Sequence, residues 1–112
     1  MSIEGTDAVV VLMTAPNREE AVRIAEMLIG SRLAACVQIM PEMESIYHWQ
    51  DAIQRDAEFL LLAKTTLENF AMLEHEVRAL HSYTIPEIVA IAAVAVSEPY
   101  LNWLKENVRR HE

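Results

Sequence analysis

The sequence has 112 residues, with 17 acidic against 9 basic side chains and a formal net charge of −8. That length suits a single domain over residues 1–112 with its own core, and an acidic surface that repels phosphate backbones argues against a nucleic-acid partner. Hydrophobic residues make up 53% of the chain, high for a soluble monomer, and its single cysteine, Cys36, has no disulfide partner within the sequence and suits a reducing compartment. The apolar run Val9 to Met13 is too short for a signal core or a membrane span, so a cytoplasmic protein with no membrane partner is expected.

Met1 to Asp7 reads as a flexible tail. Ala8 to Thr14 is rich in β-branched residues and predicts a central strand buried on both faces, closed by Pro16. Asn17 followed by Glu20 has the form of a capping box, and Ala21, Ile24, Ala25, Leu28 and Ile29 then share one helical face. Gly30 is expected to end that helix in a left-handed cap. Leu33 to Met40 predicts a second strand, interrupted by Pro41, which cannot donate to a ladder and belongs at an edge or bulge. Ser45 to Gln50 resumes with period two: Ser45, Tyr47 and Trp49 on one side, Ile46, His48 and Gln50 on the other. The turn between Gln50 and Arg55 contains no glycine, which predicts a longer loop rather than a two-residue type I′ turn. Asp56 to Lys64 returns as the third strand.

Thr65 and Glu68 repeat the capping-box pattern, and Phe70, Leu73, Val77 and Leu80 stripe the helix that follows. Pro86 makes His81 to Glu87 a loop. Ile88 to Val96 is alanine-rich, but its five β-branched positions favour a strand. Ser97, Glu98 and Pro99 open a last helix in which Tyr100, Trp103 and Leu104 share a face. The order is β-α-β-β-α-β plus a C-terminal helix. It predicts an α+β, ferredoxin-like sandwich with two helices on one face of an antiparallel sheet.

The hairpin from Leu33 to Thr65 is longer than such helices can cover. A helix of about 12 residues spans roughly 18 Å, whereas a strand path of about 16 residues runs on the order of 50 Å. The outer half carries Ile46, Tyr47, Trp49 and Ile53, and exposed apolar edges invite another chain. Self-association through that arm follows; the alternative is a hairpin curling over its own sheet.

No phosphate loop, nucleophile elbow or metalloprotease His pair is present, and no nucleophile stands with a base, so an enzyme is not expected. Met13, Cys36 and His81 would make a soft Cu(I) site if folding brought them together, although buried Met and Cys are ordinary core fillers. Glu58, Lys64, Tyr83 and Glu87 flank apolar runs, and Glu58 and Lys64 share a strand face, where ion pairing is their simplest use. Tyr47, Trp49 and Trp103 suit either an aromatic pocket or interface packing.

Leu12-Met-Thr-Ala-Pro16, Leu33-Ala-Ala-Cys-Val37, Ser45-Ile-Tyr-His-Trp49, Lys64-Thr65, His81-Ser-Tyr-Thr-Ile-Pro-Glu87 and Tyr100-Leu-Asn-Trp103 occur in that order across nearly the whole chain. Together they resemble the signature segments of the CutA divalent-cation tolerance proteins. The resemblance implies a ferredoxin-like protomer in a homotrimer whose hairpins pair between subunits, and a role in tolerance to copper and other divalent metals. It also implies a likeness to trimeric nitrogen-regulatory signalling proteins. The chain departs from the family pattern at Met13, where some members carry cysteine, at Ser82, where proline is usual, and at Asp51-Ala52, where the usual turn glycine is absent. On this resemblance the protein is a non-enzymatic trimer with no required cofactor that binds copper or another divalent ion weakly, with His81, Cys36 and Glu87 as candidate ligands. The alternatives are a small-molecule sensor, with inter-subunit clefts lined by Tyr47, Trp49, Glu58, Lys64, Tyr83 and Trp103, and a scaffold without a ligand.

Overall fold

The strand β1 (Ala8–Ala15) is an inner strand of a five-stranded antiparallel sheet in the computed structural model, which describes residues 6–111. Its alternation places Val9, Val11, Met13 and Ala15 in the core, against Ala21, Ile24 and Leu28 of helix α1 (Arg18–Gly30) and Leu73 and Val77 of helix α2 (Phe70–Leu80). The strand order is β2-β4-β1-β5, with β3 continuing the sheet along β4. Here β2 is Cys36–Ile39, β3 Met43–Trp49, β4 Ala52–Thr66 and β5 Ile88–Ala92, and a last helix, α3, spans Glu98–Glu106.

Helix α1 starts as its sequence predicts, with Asn17 Oδ1 accepting from the Glu20 N–H at 2.8 Å. The second half of the capping box is not made, because the Glu20 carboxylate is used elsewhere. Gly30 remains within the helix, and the left-handed conformation falls instead on Arg32, at φ 60. Arg32 is held there from three sides: its N–H bonds Ile29 O, its carbonyl accepts from Arg109 N–H, and its guanidinium bonds Glu106 O. Tertiary contacts override the glycine signal.

The predicted second strand is shorter than Leu33 to Met40. Leu33 and Ala34 are buried in the core ahead of it. Both β2 and β3 pair with β4, but out of step. Cys36 stands opposite Lys64 and Ile39 opposite Leu61, and Met40 N–H still bonds Leu60 O; Met43 then stands opposite Glu58. Pro41 and Glu42 together therefore face Phe59 alone, a bulge at the proline. Since side chains alternate, this extra residue reverses the facing of everything beyond it. Odd-numbered residues of β2 pair with the core-facing side of β4, whereas Ser45, Tyr47 and Trp49 join the side that carries Glu58, Leu60 and Leu62, away from α1 and α2.

The hairpin tip corrects the loop expectation. Trp49 pairs directly with Ala52, and Gln50 and Asp51 have φ of 50 and 62, the signature of a two-residue type I′ turn built without glycine. Seven paired rungs along β3 and β4 impose the twist that this turn matches, and aspartate tolerates the left-handed region better than most residues.

Thr65 does not cap a helix. It lies in β4, fully buried, and its hydroxyl donates to Leu33 O at 2.7 Å. A 3₁₀ turn, Leu67–Asn69, leads into α2, and the Asn69 amide donates to Thr66 Oγ1 and to Arg109 O. Strand β5 stops at Ala92, short of the predicted Val96, once Ala93 N–H has bonded Ala8 O. Among the described residues β5 pairs only with β1, and Val89 and Ile91 on it are exposed. Of the predicted tail, Thr6 and Asp7 are tied down: the Thr6 hydroxyl donates to Ala93 O, and Asp7 meets Lys105 of α3. Residues 1–5 lie outside the described residues. On the hairpin, Ile46 is 56% and Ile53 74% exposed, so within one chain the arm stands uncovered. Among the described residues no helix is long and apolar enough to cross a membrane.

Candidate functional site

The reversal of facing at Pro41 and Glu42 puts Tyr47 and Trp49 on the same side of the sheet as Glu58. Opposite them, the loop His81–Glu87 crosses from the end of α2 to the start of β5. The loop is pinned by His81, whose imidazole is buried. Its Nε2 lies 2.7 Å from Thr14 O, and since a carbonyl only accepts, that nitrogen carries the proton. Nδ1 is then free to accept the Tyr83 N–H at 3.0 Å. The buried Glu20 carboxylate accepts from Ser82 N–H at 3.2 Å and from Ser82 Oγ at 3.0 Å, fixing the next residue of the loop to the start of α1. The rings of His81 and Tyr83 lie 4.8 Å apart, and the Tyr83 hydroxyl donates to Glu58 Oε2 at 3.0 Å.

Between the hairpin and this loop lies a cleft of about 670 Å³. Three carboxylates line it, Asp56, Glu58 and Glu87, together with the rings of Tyr47, Trp49 and Tyr83. Thr14, Ser45, Ser82, Thr84 and Ile85 complete the wall, with the backbone at Ile46, whose side chain is on the opposite strand face, and with no lysine, arginine or histidine among the lining residues. The Tyr47 hydroxyl donates to Asp56. The electrostatics follow from that composition. Burial, then the hydrogen bond to Glu58 and its charge, hold the Tyr83 phenol above its ordinary value. Tyr47 is raised by its bond to Asp56 first, then by burial and by the charges of Asp56 and Glu58. Glu87 is raised by burial and by the charge of Glu58. Negative charge is concentrated here, and among the described residues that line the cleft none is a cation.

Of the residues predicted for a cleft, Tyr47, Trp49, Glu58 and Tyr83 are brought together, and Glu87, predicted as a metal ligand, joins them. Lys64 shares the strand face with Glu58 as expected, but six residues along β4 place it about 20 Å away, and its ammonium bonds Gln38 instead. Trp103 packs on Tyr100 of its own helix, with ring centroids 5.5 Å apart, and does not line this cleft. The candidate ligands His81, Cys36 and Glu87 are not gathered within the chain. Cys36 is level with Lys64 and Val10, four residues or about 13 Å along the sheet from Thr14, where His81 is bound, with β4 between β2 and β1. Both nitrogens of His81 are already engaged. Among the described residues, no group of three or more His, Cys, Asp or Glu is arranged to hold a metal ion. Met13 is a fully buried core residue.

Asp56, Thr14, Ser45 and Thr84 are not marked as site residues by the sequence, and Ser82 is marked only as a departure from the family pattern. Asp56 carried a usable signal, since it alternates with Glu58 on one strand face; the others depend on register and on the path of the loop. Glu20 read only as a helix-start acid, and nothing local ties it to Ser82.

Residues 9–107 match the CutA1 divalent ion tolerance protein family. The chain is 51% identical over 98 residues to the divalent-cation tolerance protein CutA of Thermus thermophilus, covering 88% of this chain and 95% of that one. It is 40% identical over 102 residues to the chloroplastic protein CutA of Arabidopsis thaliana, covering 91% of this chain but 56% of that longer protein. The solved structure of the Thermus thermophilus divalent cation tolerance protein superposes with a TM-score of 0.89 at 49% identity, covering 91% of this chain and 99% of that one. CutA1 from Oryza sativa superposes with a TM-score of 0.91 at 40% identity, covering 93% and 95% respectively. The chain belongs to the CutA1 divalent ion tolerance protein family.

Proposed function

We propose that this protein serves divalent-cation tolerance as a self-associating, non-enzymatic protein that collects cations weakly at the cleft between its hairpin and the 81–87 loop. The observation that carries this reading is the lining: Asp56, Glu58 and Glu87 with no lysine or arginine beside them, on a chain of net charge −8. Carboxylate and hydroxyl oxygens suit hard divalent ions, and they admit copper less selectively than a thiolate and imidazole set would. Glu87 therefore remains a ligand candidate, with Glu58 and Asp56 in place of His81 and Cys36. A non-enzymatic role is supported by His81, beside the cleft, whose ring is spent on Thr14 and Tyr83.

Assembly is proposed as a homotrimer of ferredoxin-like protomers. The strand order β2-β4-β1-β5 supports the protomer reading, and the uncovered Ile46 and Ile53 of the arm, on the face opposite Tyr47 and Trp49, support self-pairing. The single thiol supports a reducing compartment, the cytosol, although the Arabidopsis relative is named chloroplastic and the Archaeoglobus fulgidus structure periplasmic.

Calorimetric titration with Cu²⁺, beside sedimentation to establish the assembly, tests the reading. Weak binding that is lost in Glu58→Gln/Glu87→Gln and kept in Cys36→Ala is expected. Binding that is lost in Cys36→Ala and kept in the double variant would move the site to β2. A second reading, a small-molecule sensor, is favoured by the size and aromatic walls of the same cleft.

A further inference from the structure

We propose that the cleft is a binding site for an organic cation, an alkylammonium group on a carbon stem, with its charge set against Glu58 and Glu87 and its carbon against the rings of Tyr47 and Trp49. The inference rests on reading the cleft as a cation site and narrows the class of cation.

Size speaks first. A volume of about 670 Å³ falls in the range of small-molecule pockets and far exceeds what a single metal ion fills. Coordination speaks second. A divalent ion needs several oxygens converging at about 2.0–2.6 Å, and among the described residues no three acidic, thiol or imidazole side chains are so arranged. The negative charge is thus spread over a wall rather than focused at a point, an arrangement met best by a larger, weakly hydrated cation. The rings speak third: Tyr47, Trp49 and Tyr83 line the same space, and aromatic faces attract ammonium groups, most strongly where water is excluded. Ile85 supplies apolar surface for a stem, and Thr14 and Thr84 line the same space. Two carboxylates are also pre-oriented: Tyr83 holds Glu58 and Tyr47 holds Asp56, each phenol occupying one oxygen and leaving the other to a ligand. The raised proton affinity of Glu87 fits a site that awaits a positive charge.

The test uses the full chain in its native assembly, titrated calorimetrically with butylammonium, tetramethylammonium and spermidine, and with 1-butanol as the uncharged counterpart. The indole N–H signal of Trp49 is followed by NMR. Saturable binding of the ammonium probes with a shift of that signal is expected, together with at least tenfold weaker binding of 1-butanol. Glu58→Gln, which still accepts from Tyr83, and Trp49→Ala, which removes an exposed ring, are each expected to weaken the ammonium probes by about tenfold, while Lys64→Ala leaves them unchanged. Equal binding of 1-butanol overturns the inference. So does a cleft that binds no ammonium probe because a neighbouring copy fills it. Binding of Cu²⁺ or Mg²⁺ alone, with no ammonium binding, overturns it too but leaves the tolerance reading standing; failure of metals and ammonium ions alike removes the cleft from both.

Discussion

Glu20 and Ser82 are joined twice across 62 residues of sequence: one carboxylate oxygen of Glu20 accepts both the backbone N–H and the hydroxyl of Ser82. This bond fixes the cleft-forming loop to the first turn of α1. Truncating Glu20 to alanine strands the Ser82 N–H in a partly buried position and is expected to cost about 1–3 kcal/mol, whereas Ser82→Ala, which removes one of the two bonds, costs about 1 kcal/mol. Denaturant unfolding of the two single variants and the double, at one chain concentration, checks this. A double variant no worse than Glu20→Ala alone is the expected sign of a shared interaction, and full additivity would contradict it.

The hairpin tip carries two non-glycine residues in the left-handed region, Gln50 and Asp51. Each such residue stores strain, on the order of 1 kcal/mol for glutamine and less for aspartate. Replacing the pair by Asn-Gly (Gln50→Asn with Asp51→Gly) is expected to raise stability by about 1 kcal/mol, because those residues adopt the type I′ turn most readily. A higher melting temperature at equal chain concentration is the readout. A drop would mean that the side chains removed make contacts worth more than the strain relieved.

Deleting Glu42 removes the extra residue opposite Phe59. With Pro41 alone opposite Phe59, Met43 still stands opposite Glu58, and regular alternation carries Tyr47 and Trp49 to the face of Glu58 without a bulge. The expected result is a folded protein with an intact core, the Tyr47–Asp56 bond retained and a Trp49 indole signal close to the parent's. A strongly shifted indole signal would show that Met43 to Trp49 has changed register against β4.

The carboxyl of Glu87 has a folded-state pKa above its ordinary value, through burial and the charge of Glu58. The folded protein therefore holds this proton more tightly than the unfolded chain. The stability it contributes is complete below the ordinary carboxyl value and is lost as pH rises through the raised one. Glu87→Gln, permanently neutral, is expected to match the parent near pH ~4 and to melt higher near pH ~8. A parent that gains stability relative to the variant on going from acid to neutral pH would reverse the sign of this assignment.

Much of the architecture was legible because it is carried by repetition. The continuous apolar, β-branched run in Ala8 to Thr14 and the helical spacing of Ala21, Ile24 and Leu28 each constrain many residues at once, and the core forms from them. The misplaced features are single residues whose conformation is decided by contacts distant in sequence. Arg32 takes the bend that Gly30 would favour because residues 106 and 109 reach it. Thr65 has the local pattern of a cap, yet its hydroxyl is drawn to Leu33 across the sheet. In the cleft, Tyr47, Trp49, Glu58 and Tyr83 stood out as polar or aromatic residues beside apolar runs, but the grouping of Tyr47 and Trp49 with Glu58 depends on a one-residue offset of register, while Lys64 is kept out by its distance along β4 and Trp103 by its place on α3. His81 was conspicuous as a chemical group; only the positions of Thr14 O and Tyr83 N–H reveal that its nitrogens are taken.

Among the described residues the outer side of β5 is unpaired, which has a bearing on how the protein behaves when copies are scarce. Along Ile88–Ala92 amides and carbonyls alternate toward solvent beside Val89 and Ile91, a docking rail for any extended stretch of polypeptide. Dilution does not quiet such a rail; it only decides which stranger arrives first. Refolding yield at low concentration should then hinge on what other unfolded material shares the tube.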